Sequence, residues 1–134
     1  MSTSVVVRRM AAKRLEAIAR QHRVTTDRPL AEGGEDRGCT SGELLLMAIG
    51  SCATGSLRNF LEAHEASAEG LKTRVAFAPS STSGARDKIV LAVTLPAGAE
   101  RFDDNAIREA ATSGGVVSRI RLGSEIEVRI ERSS

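Results

Sequence analysis

The chain has 134 residues, of which 41% are hydrophobic and 27% are charged, and its formal net charge is +2. This length and balance predict one globular domain over residues 1–134, large enough to bury a core without disulfides or a metal. Aromatic residues make up only 2% of the chain, and Trp and Tyr are absent from it. The core must therefore be aliphatic, and the stacking platforms that bind single-stranded nucleic acid are nearly excluded.

Export and membrane signals are not evident in the sequence. No apolar run approaches the roughly 20 residues that span a bilayer, and the N-terminus lacks the apolar core of a signal peptide. We therefore expect a cytoplasmic protein with no membrane partner, in which Cys39 and Cys52 are reduced thiols. No Cys/His cluster has zinc spacing, so we expect neither a metal nor another cofactor.

The stretch between Arg8 and Arg23 is locally basic, with six Arg or Lys residues against one acidic residue, Glu16. We interpret this stretch as the solvated face of a strand. A surface for nucleic acid or another anionic ligand is the alternative. Because aromatic residues are so few, we do not expect a nucleic-acid partner.

The first elements along the chain are predicted strands. Residues 3–10 are rich in Val, and residues 15–26 alternate apolar with polar side chains, so both favour strands joined by a turn over residues 11–14. A basic helix over residues 9–22 is the alternative, because its Ala, Lys, Arg, Leu and Glu residues are good helix formers. Residues 27–38 contain Pro and three Gly residues, which predict a loop.

A long helix is predicted to follow this loop. Residues 40–43 read Thr-Ser-Gly-Glu, which fits a capping box in which Thr40 and Glu43 exchange hydrogen bonds with backbone amides. The six residues 44–49 are apolar without interruption, so this part of the helix is predicted to be buried on every side. Further on, the pattern becomes one-faced, and we expect the helix to reach the surface near His64. The small residues 50–55 permit close packing of another helix or chain.

The next two predicted strands cover residues 72–78 and 88–95. The first alternates polar with apolar side chains, and residues 79–84 form a turn-rich connection. The second is apolar and β-branched, which is typical of a central strand in a sheet.

Two short helices and a last strand complete the predicted order. Asp103 can cap a helix that extends to Ala111, the Ser-Gly-Gly at residues 113–115 interrupts it, and residues 116–122 form a short helix or turn. Residues 125–131 alternate cleanly and predict a strand whose core face carries Ile126, Val128 and Ile130. The order strands, long helix, strands, short helices, strand indicates an α+β fold.

Residues 33–56, GGEDRGCTSGELLLMAIGSCATGS, resemble the OsmC-like hydroperoxide-reductase family in its shorter branch. The shared features are the Gly-Gly loop, the capped Glu-Leu-Leu-Leu helix and the Gly-Ser-Cys that ends at Cys52. Residues 114–121 are similar to the segment that carries the second cysteine of the family. The resemblance implies antiparallel sheets wrapped around a long central helix in an intertwined homodimer.

The resemblance also implies a chemistry, the thiol-dependent reduction of an organic hydroperoxide or another small apolar substrate during oxidative or osmotic stress. Cys52 matches the peroxidatic cysteine, which becomes a sulfenic acid and is restored by an external thiol reductant. Glu43 is the candidate for the acidic residue that supports its thiolate. Arg37, with Arg23 as the alternative, is the candidate for the basic one, because Glu32 stands near the position that the family pattern indicates for it. The chain departs from the family pattern at Gly115, where the second cysteine is expected, and at Gly42, where active members have Glu.

Cys39 is a second redox candidate, because it directly precedes the helix cap, where unpaired amides favour a thiolate; a plain loop residue is the alternative. Thirteen residues of regular helix would separate it from Cys52 by about 20 Å, and a disulfide needs Cα atoms within about 7 Å. The two sulfurs are therefore predicted to pair only across a dimer. A non-catalytic relative, in which Cys52 is a small buried hydrophobe and the dimer cleft binds a small apolar ligand, is the alternative function.

Overall fold

The computed structural model describes residues 3–79 and 87–133 of the chain. Two antiparallel sheets and three α-helices make up this part, which confirms the α+β class. The chain divides into two compact units, Met1–Met47 and Ala48–Ser134. The single domain over residues 1–134 stays a prediction.

The N-terminal unit contains a three-stranded antiparallel sheet in the order β1 (Val6–Ala11), β2 (Arg14–Ala19) and β3 (His22–Thr26). The predicted strand over residues 15–26 is therefore two strands, and the alternative helix over residues 9–22 is wrong. The sequence shows no turn between β2 and β3 because no Gly, Asn or Asp marks one. Arg20 adopts the left-handed conformation there, with φ 55°, which a non-glycine residue rarely does.

Two arginines of the basic stretch pair with the one glutamate in it. Glu16 on β2 is 8% exposed, and its Oε1 accepts hydrogen bonds from Arg8 Nη2 (2.9 Å) and Arg23 Nη1 (3.0 Å) on the two flanking strands. The bond from Arg8 is the main reason that the pKa of Glu16 lies below its usual value, and Arg23 adds to the effect against the opposing cost of burial. Both arginines stay mostly exposed, as expected of a solvated strand face.

The first α-helix, α1 (Ser41–Ala63), begins at the predicted capping box. The Glu43 amide donates to Thr40 Oγ1 (3.1 Å), and the Thr40 amide donates to Glu43 Oε1 (2.8 Å). Only one stripe of the helix is buried, formed by Ile49, Ala53, Leu57 and Leu61. Leu45 is 38% exposed and Met47 is 57% exposed, so the prediction that residues 44–49 are buried on every side is wrong for a single chain.

By length and composition, α1 is the one helix in the described residues that could cross a membrane, with a hydropathy of 1.3. The sequence contains no uninterrupted apolar run of this length, because polar residues such as Glu43, Ser51 and Arg58 divide it. The core helix of a soluble protein passes the same test, so the observation alone does not assign α1 to a membrane.

The C-terminal unit contains a two-stranded antiparallel sheet of β4 (Lys72–Ala78) and β5 (Lys88–Thr94). Both strands are confirmed nearly to the residue, and of the predicted connection over residues 79–84 all but Pro79 lies outside the described residues. The prediction that β5 is a central strand is wrong within one chain. It pairs with β4 alone in the part of the chain that the structure describes, so its other edge is open.

Two short helices follow the sheet, as the sequence predicts, and they pack on it. The helix α2 (Asp104–Thr112) is capped by Asp103, whose Oδ1 accepts from the Ala106 amide (2.8 Å). The helix α3 (Gly115–Leu122) follows after a two-residue break and ends at Gly123, with φ 82°. These helices and α1 share one aliphatic core, which consists of Ile49, Ala53, Leu57, Ile107, Ala111 and Val117.

The predicted last strand is absent from the described chain. Residues 123–133 form no helix or strand, and their side chains are exposed. The prediction of a strand whose core face carries Ile126, Val128 and Ile130 is therefore wrong for a single chain, because no sheet edge pairs with this segment in the described residues.

Candidate functional site

Cys52 lies on α1 with its side chain packed against the core of the C-terminal unit, and it is half-buried. Its sulfur faces the backbone of Gly114. A Cβ atom at position 114 would lie closer than 3.0 Å to Cys52 Sγ, and 2.9 Å from Ser56 Oγ. Any larger residue at this position therefore requires the backbone or these side chains to move. The break between α2 and α3 therefore passes directly over the Cys52 thiol.

Gly114 is also the N-cap of α3, and it has no side chain to satisfy the amides of the first turn. The first helical hydrogen bond runs from the Ser118 amide to the Gly114 carbonyl (3.0 Å), which leaves the amides of residues 115–117 without helical partners. Unpaired amides and the helix dipole favour negative charge near the first turn. The Cys52 sulfur thus lies against the residue that caps a helix N-terminus.

A guanidinium group lies beside the same break. The Arg119 side chain turns back along α3, and its Nη1 is 3.2 Å from where a Cβ atom at Gly115 would be. Gly115 is the neighbour of Gly114, so the Arg119 guanidinium lies beside the turn that covers the Cys52 thiol. Arg119 is not among the predicted site residues, although it lies in residues 114–121, the segment similar to that of the family's second cysteine.

The other predicted site residues belong to the N-terminal unit, where Arg37 and Cys39 share the loop before α1. Arg37 is exposed and Cys39 is half-buried. The Glu43 carboxylate is engaged in the capping box described above. Their site roles stay predictions, and so does that of Cys52.

Asp27 organises the loop that carries Arg37 and Cys39. It is 3% exposed, its Oδ2 accepts from the amides of Arg37 (3.0 Å) and Glu35 (3.3 Å), and its Oδ1 accepts from the Arg28 amide (2.7 Å). The Asp27 amide in turn donates to the Cys39 carbonyl (3.0 Å). One buried carboxylate therefore fixes both ends of the loop, a role that the sequence does not reveal because the contacts are to backbone amides.

The acid stability of the protein should depend on Asp27. Burial opposes its ionisation, but the amides of Arg37, Arg28 and Glu35 outweigh that cost and hold the pKa of Asp27 below its usual value. The pKa of Asp27 is lower in the folded protein than in the unfolded chain, where it is about 3.9. The contribution of the Asp27 carboxylate to the free energy of unfolding is therefore complete above about pH 3.9, and it is lost as the pH falls through the folded-state pKa. Urea unfolding of wild type and Asp27→Asn at several pH values measures the difference in their free energies of unfolding.

We expect Asp27→Asn to be less stable at neutral pH and the difference to shrink as the pH falls from about 5 to about 2. A difference that is constant over this range would contradict the assignment.

The small residues around Cys52 on α1 permit close packing within the C-terminal unit. A Cβ atom at Gly50 would lie 2.9 Å from Val75 Cγ2, and Thr54 Oγ1 donates to Thr73 Oγ1 (2.9 Å), so β4 lies directly against α1. A shallow cleft of about 380 Å³ opens on the same helix, and it is lined by Ser51, Thr54, Gly55, Arg58, Ala68 and Leu71. Cys52 does not line this cleft.

Over residues 3–79 and 87–133, no group of three or more His, Cys, Asp and Glu side chains is arranged to hold a metal ion. Both cysteines are free thiols. The chemistry that this site can support is therefore that of a sulfur beside a helix N-terminus and an arginine.

Comparisons of the sequence and of the fold with known proteins agree with each other. The sequence model of a family described as OsmC-like protein matches residues 33–131. A Psychrobacter arcticus protein of the osmotic stress and detoxification response is 20% identical, with a TM-score of 0.68 over 88% of this chain and 87% of that chain. A Legionella pneumophila organic hydroperoxide resistance protein, OsmC, is 14% identical, with a TM-score of 0.53 over 88% and 89%. No curated protein matches the chain. At these identities, the structural likenesses establish the fold.

Proposed function

Because the chain belongs to the OsmC-like protein family, we propose that it is a thiol-dependent hydroperoxide reductase in which Cys52 is the peroxidatic cysteine. The observation that carries the proposal is the position of the Cys52 sulfur against Gly114, the N-cap of α3, which has no side chain to cap the helix. The Legionella relative is named for organic hydroperoxide resistance, which supports this substrate class.

The proposed reaction begins with attack of the Cys52 thiolate on the peroxide. A sulfur–oxygen bond forms as the oxygen–oxygen bond breaks, and the alkoxide that leaves takes up a proton to become the alcohol. The amides at the start of α3 and the Arg119 guanidinium favour negative charge on the sulfur and on the departing oxygen. An external thiol then condenses with the sulfenic acid and releases water, and a second thiol restores Cys52 and leaves as the oxidised disulfide.

The reductant is external in this proposal because Gly114 stands over the sulfur. Position 114 is where a second cysteine would contact Cys52, one residue before the position that the resemblance indicates. With glycine there, the chain has no internal thiol in the C-terminal unit to resolve the sulfenic acid.

We also propose that the protein acts as a homodimer in the cytoplasm. The exposed Leu45 and Met47 on α1 support a second copy, since large apolar side chains on a helix are normally covered. The reducing cytoplasm matches a mechanism that needs free thiols.

The activity test measures consumption of cumene hydroperoxide with dihydrolipoamide as reductant. Cys52→Ala should fall to the background rate, and Arg119→Gln should lose at least about tenfold in kcat/KM, because a donor aimed at developing charge is removed. Arg121→Gln is the matched control, since Arg121 is the other basic residue in the last turn of α3. Cys39→Ala tests the second redox candidate. Wild type at the Cys52→Ala rate would end the proposal.

The second candidate function is binding of a small apolar ligand without catalysis. The half-burial of Cys52 and the glycine at position 114 favour it, because restricted access to the thiol and the lack of a resolving partner both weaken a peroxidase. Alkylation of the folded protein separates the two functions. Rapid labelling of Cys52 by iodoacetamide supports the reductase, and labelling of Cys52 only after unfolding supports the binding protein.

A further inference from the structure

Ser56 lies one helical turn after Cys52 on α1, and both side chains face the same residue, Gly114. Residues four positions apart lie above one another on one face of a helix. A Cβ atom at position 114 would meet both Cys52 Sγ and Ser56 Oγ, so the sulfur and the hydroxyl oxygen lie within about 6 Å of each other. The Cys52 sulfur therefore has a hydroxyl group beside it, in the same unit of the chain.

The Ser56 hydroxyl is not committed to another group in the part of the chain that the structure describes. A serine or threonine inside a helix commonly donates to the carbonyl of the preceding turn, as Thr112 Oγ1 does to the Arg108 carbonyl (2.9 Å). Ser113 Oγ bonds to the Ala110 carbonyl in the same way (2.9 Å). Ser56 Oγ is half-buried and has no such bond in the described residues. Its proton is therefore available to a group that arrives beside Gly114.

Attack of the Cys52 thiolate on a hydroperoxide creates negative charge on the departing oxygen. The terminal oxygen bonds to sulfur, and the electron pair of the broken oxygen–oxygen bond stays on the alkoxide, which then takes a proton from water. The terminal oxygen must approach the sulfur to about 3–3.5 Å for this attack, and the departing oxygen lies one bond further away. A hydroxyl on the same helix face, one turn from the sulfur, is thus close enough to donate to the departing oxygen.

We propose that the Ser56 hydroxyl donates a hydrogen bond to the departing alkoxide oxygen and is a catalytic residue of the peroxide-reducing site. The inference rests on the proposed function and adds a directed donor to it, on the helix face of the sulfur itself. Such a donor favours alkyl hydroperoxides, whose leaving group is a basic alkoxide. Peroxy acids gain little from it, because their carboxylate leaving group is stable without a donor.

The rate of Cys52 oxidation by two oxidants, without reductant, tests this role. Samples are quenched at timed intervals in urea with N-ethylmaleimide, and peptide mass spectrometry counts the Cys52 that is still a thiol. With cumene hydroperoxide, Ser56→Ala should be at least about tenfold slower than wild type, because a donor to developing charge is lost. With peracetic acid, the two rates should differ by less than about twofold. Alanine is the best helix former, so the substitution preserves α1.

Ser51→Ala is the matched control, since it removes a hydroxyl beside Cys52 from the face of α1 that lines the shallow cleft. It should match wild type with both oxidants. Equal rates for wild type and Ser56→Ala with cumene hydroperoxide would refute the role of Ser56 but not the proposed function. Equal slowing with both oxidants would also refute this role alone, because a disturbed helix affects every oxidant alike. Oxidation of folded wild type by cumene hydroperoxide no faster than that of its unfolded chain would refute both.

Discussion

Replacing Gly114 with cysteine should produce an intrachain disulfide to Cys52 in nearly all molecules after mild oxidation. A Cβ atom at position 114 lies closer than 3.0 Å to the Cys52 sulfur, so the two Cβ atoms would lie within about 4.5 Å, the range that disulfides need. A small rotation of either side chain then joins the sulfurs. Intact mass, which falls by two hydrogen atoms, and peptide mapping without reductant measure the bond.

Gly115→Cys is the matched control for this disulfide. Its Cβ atom would lie 3.2 Å from Arg119 Nη1, and Cys52 Sγ is not among the atoms within 4 Å of it. We therefore expect Gly115→Cys to keep its free thiols under the same oxidation. Equal disulfide formation in both variants, or in neither, would contradict the placement of Gly114 over the Cys52 sulfur.

The second large effect concerns the core that holds Cys52 in place. Leu57 is fully buried, one of the largest side chains of the core to be so, and it belongs to the stripe of α1 that the C-terminal unit covers. Leu57→Ala should lower the free energy of unfolding by about 2–5 kcal/mol, because it loses the burial of three carbons and leaves a cavity. Urea unfolding monitored by circular dichroism measures the loss.

Leu122→Ala is the control for the same chemical change at the surface. Leu122 is 87% exposed at the end of α3, so its replacement should change the unfolding free energy by no more than about 0.5 kcal/mol. Similar losses at both positions would show that Leu57 is not at the centre of the core.

Local signals explain most of what the sequence predicted correctly about the fold. The capping box at Thr40, the N-cap at Asp103 and the stop at Gly123 each depend on residues within four positions, and all three are confirmed. The alternating pattern likewise identified β4 and β5 nearly to the residue.

The errors occur where the outcome depends on distant residues. The left-handed turn at Arg20 has no sequence signature, because the pairing of β2 with β3 imposes it. The expected burial of Leu45 and Met47, and of residues 125–131, assumed that apolar residues find cover within their own chain. A single sequence does not tell whether that cover comes from the same chain or from another.

In the candidate site, too, the features set by neighbouring residues were predicted and those set by distant residues were not. The position of Cys52 on a long helix was predicted because the helix and its cysteine are continuous in sequence. The approach of Gly114 and the backward turn of Arg119 were not, since both depend on how α3 packs against α1. Arg37 was chosen as a supporting cation from the position that the family pattern indicates, whereas the structure places the Arg119 guanidinium beside the turn that covers the thiol.

The most direct test of the central claim is the chemical state of Cys52 after one equivalent of cumene hydroperoxide, without reductant. Dimedone added with the peroxide labels a sulfenic acid, and peptide mass spectrometry locates the label. We predict a single adduct on the peptide that contains Cys52, formed within seconds and absent from Cys52→Ala. An unmodified Cys52 in folded protein, with the peroxide unconsumed, would contradict the assignment of Cys52 as the peroxidatic residue.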